Sequence, residues 1–287
     1  MRHLILGGTG TVGGAVVAEL LARGEKNVRV LTRSPEKAAK LPKGTTSVIG
    51  DLADPTTYKS VFQDFDTLFL LNLVTPAELQ EGLAAVNEAH RAKAKRIVYL
   101  SVHDAEKGMT IPHFAAKVAI EAAIRETGIA YTMIRPNNFH QNDYWFKDVI
   151  LQYGIYPQPI GEIGLARVDV RDIAEASANA LTRSGHENQS YALVGPDAVS
   201  GEACAKQWSD ALGRTVKYSG NDLDAWEKQS LAFMPAWAVY DFRLMYEMFQ
   251  AKGLKATPAQ MKECETIVGH APRSYRDFVR ETVTAWK

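Results

Sequence analysis

The strongest constraint on this chain is its rhythm. Between residues 3 and 136, short apolar runs alternate with stretches whose apolar residues recur at helical spacing. The runs are HLIL (3–6), NVRVLT (27–32), TTSVIG (45–50), DTLFLLN (66–72), KRIVYLS (95–101) and IAYTMIRP (129–136). Between them fall VGGAVVAELLAR (12–23), a short PEKAAK stretch, DPTTYKSVFQ, PAELQEGLAAVNEAHRAKA (76–94) and AAKVAIEAAIRETG (115–128). Gly24 closes the first helical stretch, and Asp54 with Pro55 opens the third. This alternation predicts an α/β fold with a doubly wound parallel sheet and right-handed crossovers. Continuous apolar strands such as LFLL suit a sheet covered on both faces.

After residue 150 the rhythm loosens. VDVRDIAEASANALTR (168–183) and YALVG (191–195) read as a helix and a strand returning to the same sheet. From Pro196 onward the pattern is mainly helical, with Met and aromatic residues concentrated between Phe233 and Phe249. The expected division is a first unit over 1–150, joined by 165–195, and a smaller C-terminal unit over 196–287. Lys plus Arg balance Asp plus Glu at 33 each, which argues against a nucleic-acid or acidic-membrane binder. The basic segment HRAKAKR (90–96) falls where a helix should end, and cations are favourable there. Cys204 and Cys264 form neither a metal-ligand spacing nor a disulfide framework, and His103 and His140 belong to no metal set. No apolar run approaches the ~20 residues of a membrane span, and no leader precedes the first strand. A cytoplasmic protein without a metal is the expectation.

The segment LILGGTGTVGG (4–14) joins the first strand to the first helix. In that context a G-x-x-G-x-x-G spacing reads as a dinucleotide-phosphate loop. Gly7 permits the tight turn, Gly10 the approach of a pyrophosphate, and Gly13 close helix–strand packing; Thr9, Thr11 and Val12 complete the candidate contacts. At the end of the second strand an acidic residue would select NAD. Arg33 stands there instead, with donors suited to a 2′-phosphate, and Lys37 lies one turn further. The expected cofactor is therefore NADP(H). Asp51 and Leu52, after the third strand, fall at the height of an adenine, and Asn72 ends the fourth strand beside the cofactor.

Taken together, GGTGTVGG, the arginine after the second strand, GDLADP, and the helix with Lys117 followed by YTMIRPNNF resemble an atypical short-chain dehydrogenase/reductase. The chain is most similar to the NmrA-like group, which holds NADPH-dependent reductases of quinones and dyes and also redox-sensing regulators with little catalysis. The resemblance implies a Rossmann-type domain, a smaller helical substrate domain and a cleft between them. The superfamily's catalytic set is a Ser, then a Tyr four residues before a Lys. Ser101 and Lys117 match the first and last. The Tyr position holds His113, so the tyrosine mechanism does not carry over, whereas ribose binding can pass to Lys117.

Spacing i, i+4 puts His113 and Lys117 on one helix face. His113 reads either as an acid near neutral pH or as a helix-end histidine outside the chemistry. Lys117, amid alanines, needs a polar destination: a ribose, or solvent reached by snorkelling. Hydride delivered to a simple ketone gives a strongly basic alkoxide and demands an acid. Hydride delivered to a quinone gives a delocalised, weakly basic anion, and a site without the Tyr suits that class. Asn137, Asn138, Phe139, Tyr144 and Trp145 follow the sixth strand, on the edge where open sheets bind ligands, and are the candidate substrate contacts. Phe233, Trp237, Tyr240, Tyr246 and Phe249 read as either cleft roof or core. The expected function is NADPH-dependent hydride transfer to a quinone-like or other conjugated aromatic molecule. The rivals are an NADP(H)-sensing regulator and a tailoring reductase of aromatic natural products. The expected partner is a small aromatic molecule, not nucleic acid or membrane, with homodimer formation left open.

Overall fold

In the computed structural model, which describes residues 1–286, every apolar run of the first half is a strand. The chain runs β1 (His3–Ile5), α1 (Thr11–Ala22), β2 (Val28–Thr32), α2 (Pro35–Ala38), β3 (Thr45–Ile49), α3 (Tyr58–Val61), β4 (Thr67–Leu70), α4 (Glu78–Arg91), β5 (Arg96–Leu100), α5 (Pro112–Glu126) and β6 (Ala130–Pro136). It continues through β7 (Ile155–Tyr156), α6 (Val170–Thr182), β8 (Gln189–Leu193), α7 (Gly201–Leu212), β9 (Lys217–Tyr218), α8 (Leu223–Ser230), α9 (Ala236–Lys252), α10 (Pro258–Val268) and α11 (Tyr275–Trp286). Helix α5 begins at Pro112 rather than at Ala115, because a proline fits the first helical position, where its missing N–H costs nothing.

Seven strands form one parallel sheet in the order β3-β2-β1-β4-β5-β6-β8. The chain builds outward from β1 to β3, then returns to start again at β4. The order therefore reverses between β1 and β4, and the crevice at their carboxyl ends is where such sheets take ligands. Side-chain alternation divides the core. Ile5, Val30, Phe69 and Val98 face α1, α6 and α10. Leu4, Leu68, Ile97 and Tyr99 face α4 and α5. Strand β8 is the last strand of the sheet, and α6 and α10 pack against it, the latter through Cys264, Ile267 and Val268.

Residues between 150 and 165, together with residues beyond 196, build a second core around Tyr156, Trp208, Tyr246, Phe249 and Phe278. A two-stranded parallel pair, β7 with β9, lies in this region. Arg167 joins the parts. Its guanidinium is fully buried and donates to Asp143 Oδ1 at 2.8 Å, to the Tyr156 hydroxyl at 2.9 Å and to the Phe139 carbonyl at 2.6 Å. Asp143 also accepts from Gln158 at 2.6 Å, from Trp208 Nε1 at 3.1 Å and from Tyr275. A buried ion pair repays its desolvation only with such additional hydrogen bonds, and it fixes orientation more than it adds stability.

No helix among the described residues is long and apolar enough to cross a membrane. Both cysteines are free and fully buried. Burial pushes the Cys264 thiol up to about 12 and raises that of Cys204 as well. Since only the thiolate reacts, neither thiol should exchange with a disulfide reagent in the native protein, and both should do so in guanidinium. Rapid labelling of the native protein would contradict this packing.

Candidate functional site

The loop between β1 and α1 sits at the crevice. Gly7 has φ +70°, and a Cβ there would lie 2.7 Å from Leu71 Cδ2, at the end of β4. A Cβ on Gly13 would collide with the Gly7 carbonyl, so only glycine lets α1 start this close to the loop. Gly10 is the N-cap residue and donates to the Gly7 carbonyl at 2.9 Å. No side chain caps α1, so its first N–H groups face outward as a ready anion site. Thr9, Gly10 and Thr11 are exposed around that opening, whereas the Val12 side chain is part of the core.

Arg33 extends from the end of β2 into solvent, 3.8 Å from the Asp51 carboxylate at the end of the adjacent β3. Leu52 is half-buried behind Asp51, and its carbonyl accepts from the Tyr58 hydroxyl. Asn72 is buried after β4, and neither atom of its amide has a hydrogen-bond partner among the described residues. Helix N–H groups, an exposed guanidinium beside a carboxylate and a buried amide thus share one edge of the sheet. That set fits a phosphorylated dinucleotide.

Helix α5 brings the catalytic candidates to the same edge, but each is already engaged. Lys117 is buried, and its Nζ donates to Glu78 Oε1 at 2.8 Å, on the first residue of α4. It also lies 5.8 Å from the centre of the Tyr99 ring. The polar destination of Lys117 is therefore a carboxylate rather than solvent. His113 is buried too, with Nδ1 paired to Asp241 of α9. The same carboxylate accepts from the His113 backbone N–H at 3.2 Å. Asp241 thus caps α5 from another part of the chain and leaves Nε2 as the remaining ring nitrogen. Ser101 follows β5, buried, with its hydroxyl beside the Glu121 carboxylate. Tyr99 points to the same face; burial drives its phenol well above the ordinary value, so it stays neutral. Glu121, one turn beyond Lys117, is buried, and Arg135 beside it overcomes the upward push of burial and holds its carboxyl below the usual range.

The residues after β6 divide. Asn137 is buried and fully used: its amide N–H groups meet His103 Nδ1 at 2.9 Å and the Leu254 carbonyl at 2.8 Å, and its Oδ1 accepts from the Asn138 backbone. Asn138 Oδ1 has no partner. Phe139 bridges to Val168 and packs on the core. The Tyr144 ring lies 5.6 Å from that of Phe278 and 5.9 Å from that of Trp286, both on α11, and Trp145 is exposed. In the C-terminal helices, Tyr246 and Phe249 are core, whereas Phe233, Trp237 and Tyr240 are exposed. Glu78 and Asp241 escape a reading by motif. Asking what charge could neutralise a lysine in an alanine-rich helix would point toward the first; nothing local marks the second.

Comparison with known proteins agrees with this geometry. Residues 2–271 match the NmrA-like family. An NAD(P)H azoreductase of Xenophilus azovorans is 32% identical over 232 residues, 80% of each chain. A (4-alkanoyl-5-oxo-2,5-dihydrofuran-3-yl)methyl phosphate reductase of Streptomyces griseus is 29% identical over 99% of this chain and 98% of its own. Among solved structures, an NADPH-dependent quinone oxidoreductase of Escherichia coli in complex with NADPH superposes with a TM-score of 0.86 at 22% identity, covering 99% of both chains. With the matched span reaching from β1 past α10, this chain belongs to the NmrA-like family.

Proposed function

We propose that this protein is an NADPH-dependent oxidoreductase that reduces a quinone-like or otherwise conjugated aromatic molecule by direct hydride transfer. The observation that carries the reading is the joint placement of the Gly7–Gly13 loop, the open N-terminus of α1 and the Arg33 guanidinium on one sheet edge. The names of relatives support it: an azoreductase and a quinone reductase act on conjugated acceptors.

In this reading, residues 1–150 with 165–195 hold the cofactor and 196–287 shape the substrate side. The α1 N–H groups, with Thr9 and Thr11, receive the pyrophosphate, and Arg33 receives the 2′-phosphate. Asp51 and Leu52 flank the adenine, and Asn72 flanks the nicotinamide end. NADPH, when bound, supplies the hydride. Lys117 keeps one N–H on Glu78 and offers the others to the nicotinamide ribose. Ser101 polarises the acceptor, and Asn138, Tyr144 and Trp145 border its entry. His113 is held through Nδ1 by Asp241, so it serves as an orienting or polarising group. An acceptor whose reduced anion is weakly basic matches a site without a free strong acid. The reducing cytoplasm suits the two free thiols and supplies the reduced cofactor.

Two measurements test this. NADPH oxidation is followed against a panel of quinones and azo or triarylmethane dyes; turnover supports the reading, and tight NADPH binding without turnover favours a cofactor sensor. In the same assay His113→Phe should lose about tenfold, the value of one modest hydrogen bond, whereas a true general acid would lose ~10²–10⁴-fold. The second concerns nucleotide choice. Arg33→Ala should weaken NADPH about tenfold or more while leaving NADH nearly unchanged, since charge-assisted bonds to phosphate are worth ~1.5 kcal/mol or more. Equal loss for both nucleotides would show that Arg33 does not read the phosphate.

A further inference from the structure

We infer that Glu78 is a positioning residue of this site: its carboxylate holds the Lys117 ammonium in the place from which it meets the cofactor. The inference rests on the ribose role given to Lys117 above. Its basis is the contact of α4 with α5. Gly82, one turn after Glu78, has no side chain where Ile120 of α5 packs; a Cβ there would lie 2.7 Å from Ile120 Cγ1. The two helices therefore run close together. Both follow strands of the same parallel sheet, so both begin at its carboxyl edge, where the Gly7–Gly13 loop lies. This brings Glu78, the first residue of α4, opposite Lys117 in the second turn of α5.

Both partners are almost fully buried: the side chains are 2% and 9% exposed. A buried ammonium carries a desolvation cost that an adjacent opposite charge offsets. Glu78 supplies the charge and also a direction. With one N–H fixed on Glu78 Oε1 and the Tyr99 ring beside it, the remaining two N–H groups have a restricted set of orientations. Glu78 Oε2 has no hydrogen-bond partner among the described residues. A residue serving stability alone would not be expected to leave half of a buried carboxylate unanswered, since that has a desolvation cost. Placement at the first position of α4 lowers the cost of the charge, because the helix dipole favours an anion there.

The test is a double-mutant cycle with variants that keep hydrogen-bonding capacity, so that no buried charge is stranded without a donor or acceptor. Wild type, Glu78→Gln, Lys117→Gln and the double variant are compared in two readouts. One is NADPH affinity by nicotinamide fluorescence. The other is the single-turnover rate of hydride transfer to a benzoquinone at saturating NADPH, which a loss of stability alone would not move. Lys117→Gln should weaken NADPH about tenfold and slow hydride transfer. Glu78→Gln should reproduce a large part of both losses, about fivefold each. In the Lys117→Gln background it should add less than about twofold. Full additivity, or wild-type behaviour of Glu78→Gln beside an impaired Lys117→Gln, overturns the positioning role alone. Wild-type affinity in Lys117→Gln overturns the ribose assignment and the role of Glu78 with it. Failure of every quinone to turn over would refute the acceptor class, and the affinity readout would still decide the role of Glu78.

Discussion

The close approach of α1 to the loop after β1 governs the rest of the site. Because Gly13 has no side chain, the first turn of the helix rests against the Gly7 carbonyl. Its unsatisfied N–H groups then open directly above the switch point between β1 and β4. Anion affinity at this point follows from backbone geometry and the helix dipole, not from a cluster of basic side chains. A chain with no net charge can therefore still build a phosphate site. Arg33 places an exposed guanidinium on the same edge, beside the Asp51 carboxylate.

A second constraint acts on α5. Two carboxylates from different parts of the chain grip it at successive turns, Asp241 on His113 and Glu78 on Lys117. One ties the helix to the C-terminal region and the other to its neighbour on the sheet. The residue four before the lysine thus has a fixed role in holding the helix. An acceptor that needs no strong acid is the chemical counterpart of this arrangement. The exposed aromatics Phe233, Trp237 and Tyr240 lie on or just before the helix that supplies Asp241.

Much of the fold was legible because its signals are periodic. Buried parallel strands read as apolar runs, and Gly7, Gly10 and Gly13 stand where a strand gives way to a helix. The two-residue strands β7 and β9 are too short to carry a period and leave no mark in the sequence. The partners of the site residues were hidden for another reason. Glu78 lies 39 residues from Lys117, and Asp241 lies 128 from His113, so tertiary packing alone brings them together. The buried Arg167–Asp143 pair is likewise invisible in a sequence where both types are usually solvated. The aromatic residues of α9 could not be sorted by composition: Tyr246 and Phe249 turn inward while Trp237 and Tyr240 turn out.

The central claim is that hydride passes directly from NADPH, seated on the α1 loop, to a conjugated acceptor. The most direct measurement is the single-turnover rate of quinone reduction with NADPH carrying deuterium at the transferred position of C4. The account predicts a clear slowing relative to protium, abolished together with turnover in Gly13→Val, where the loop can no longer close against the helix. Equal rates with both forms, or full activity in Gly13→Val, would contradict it.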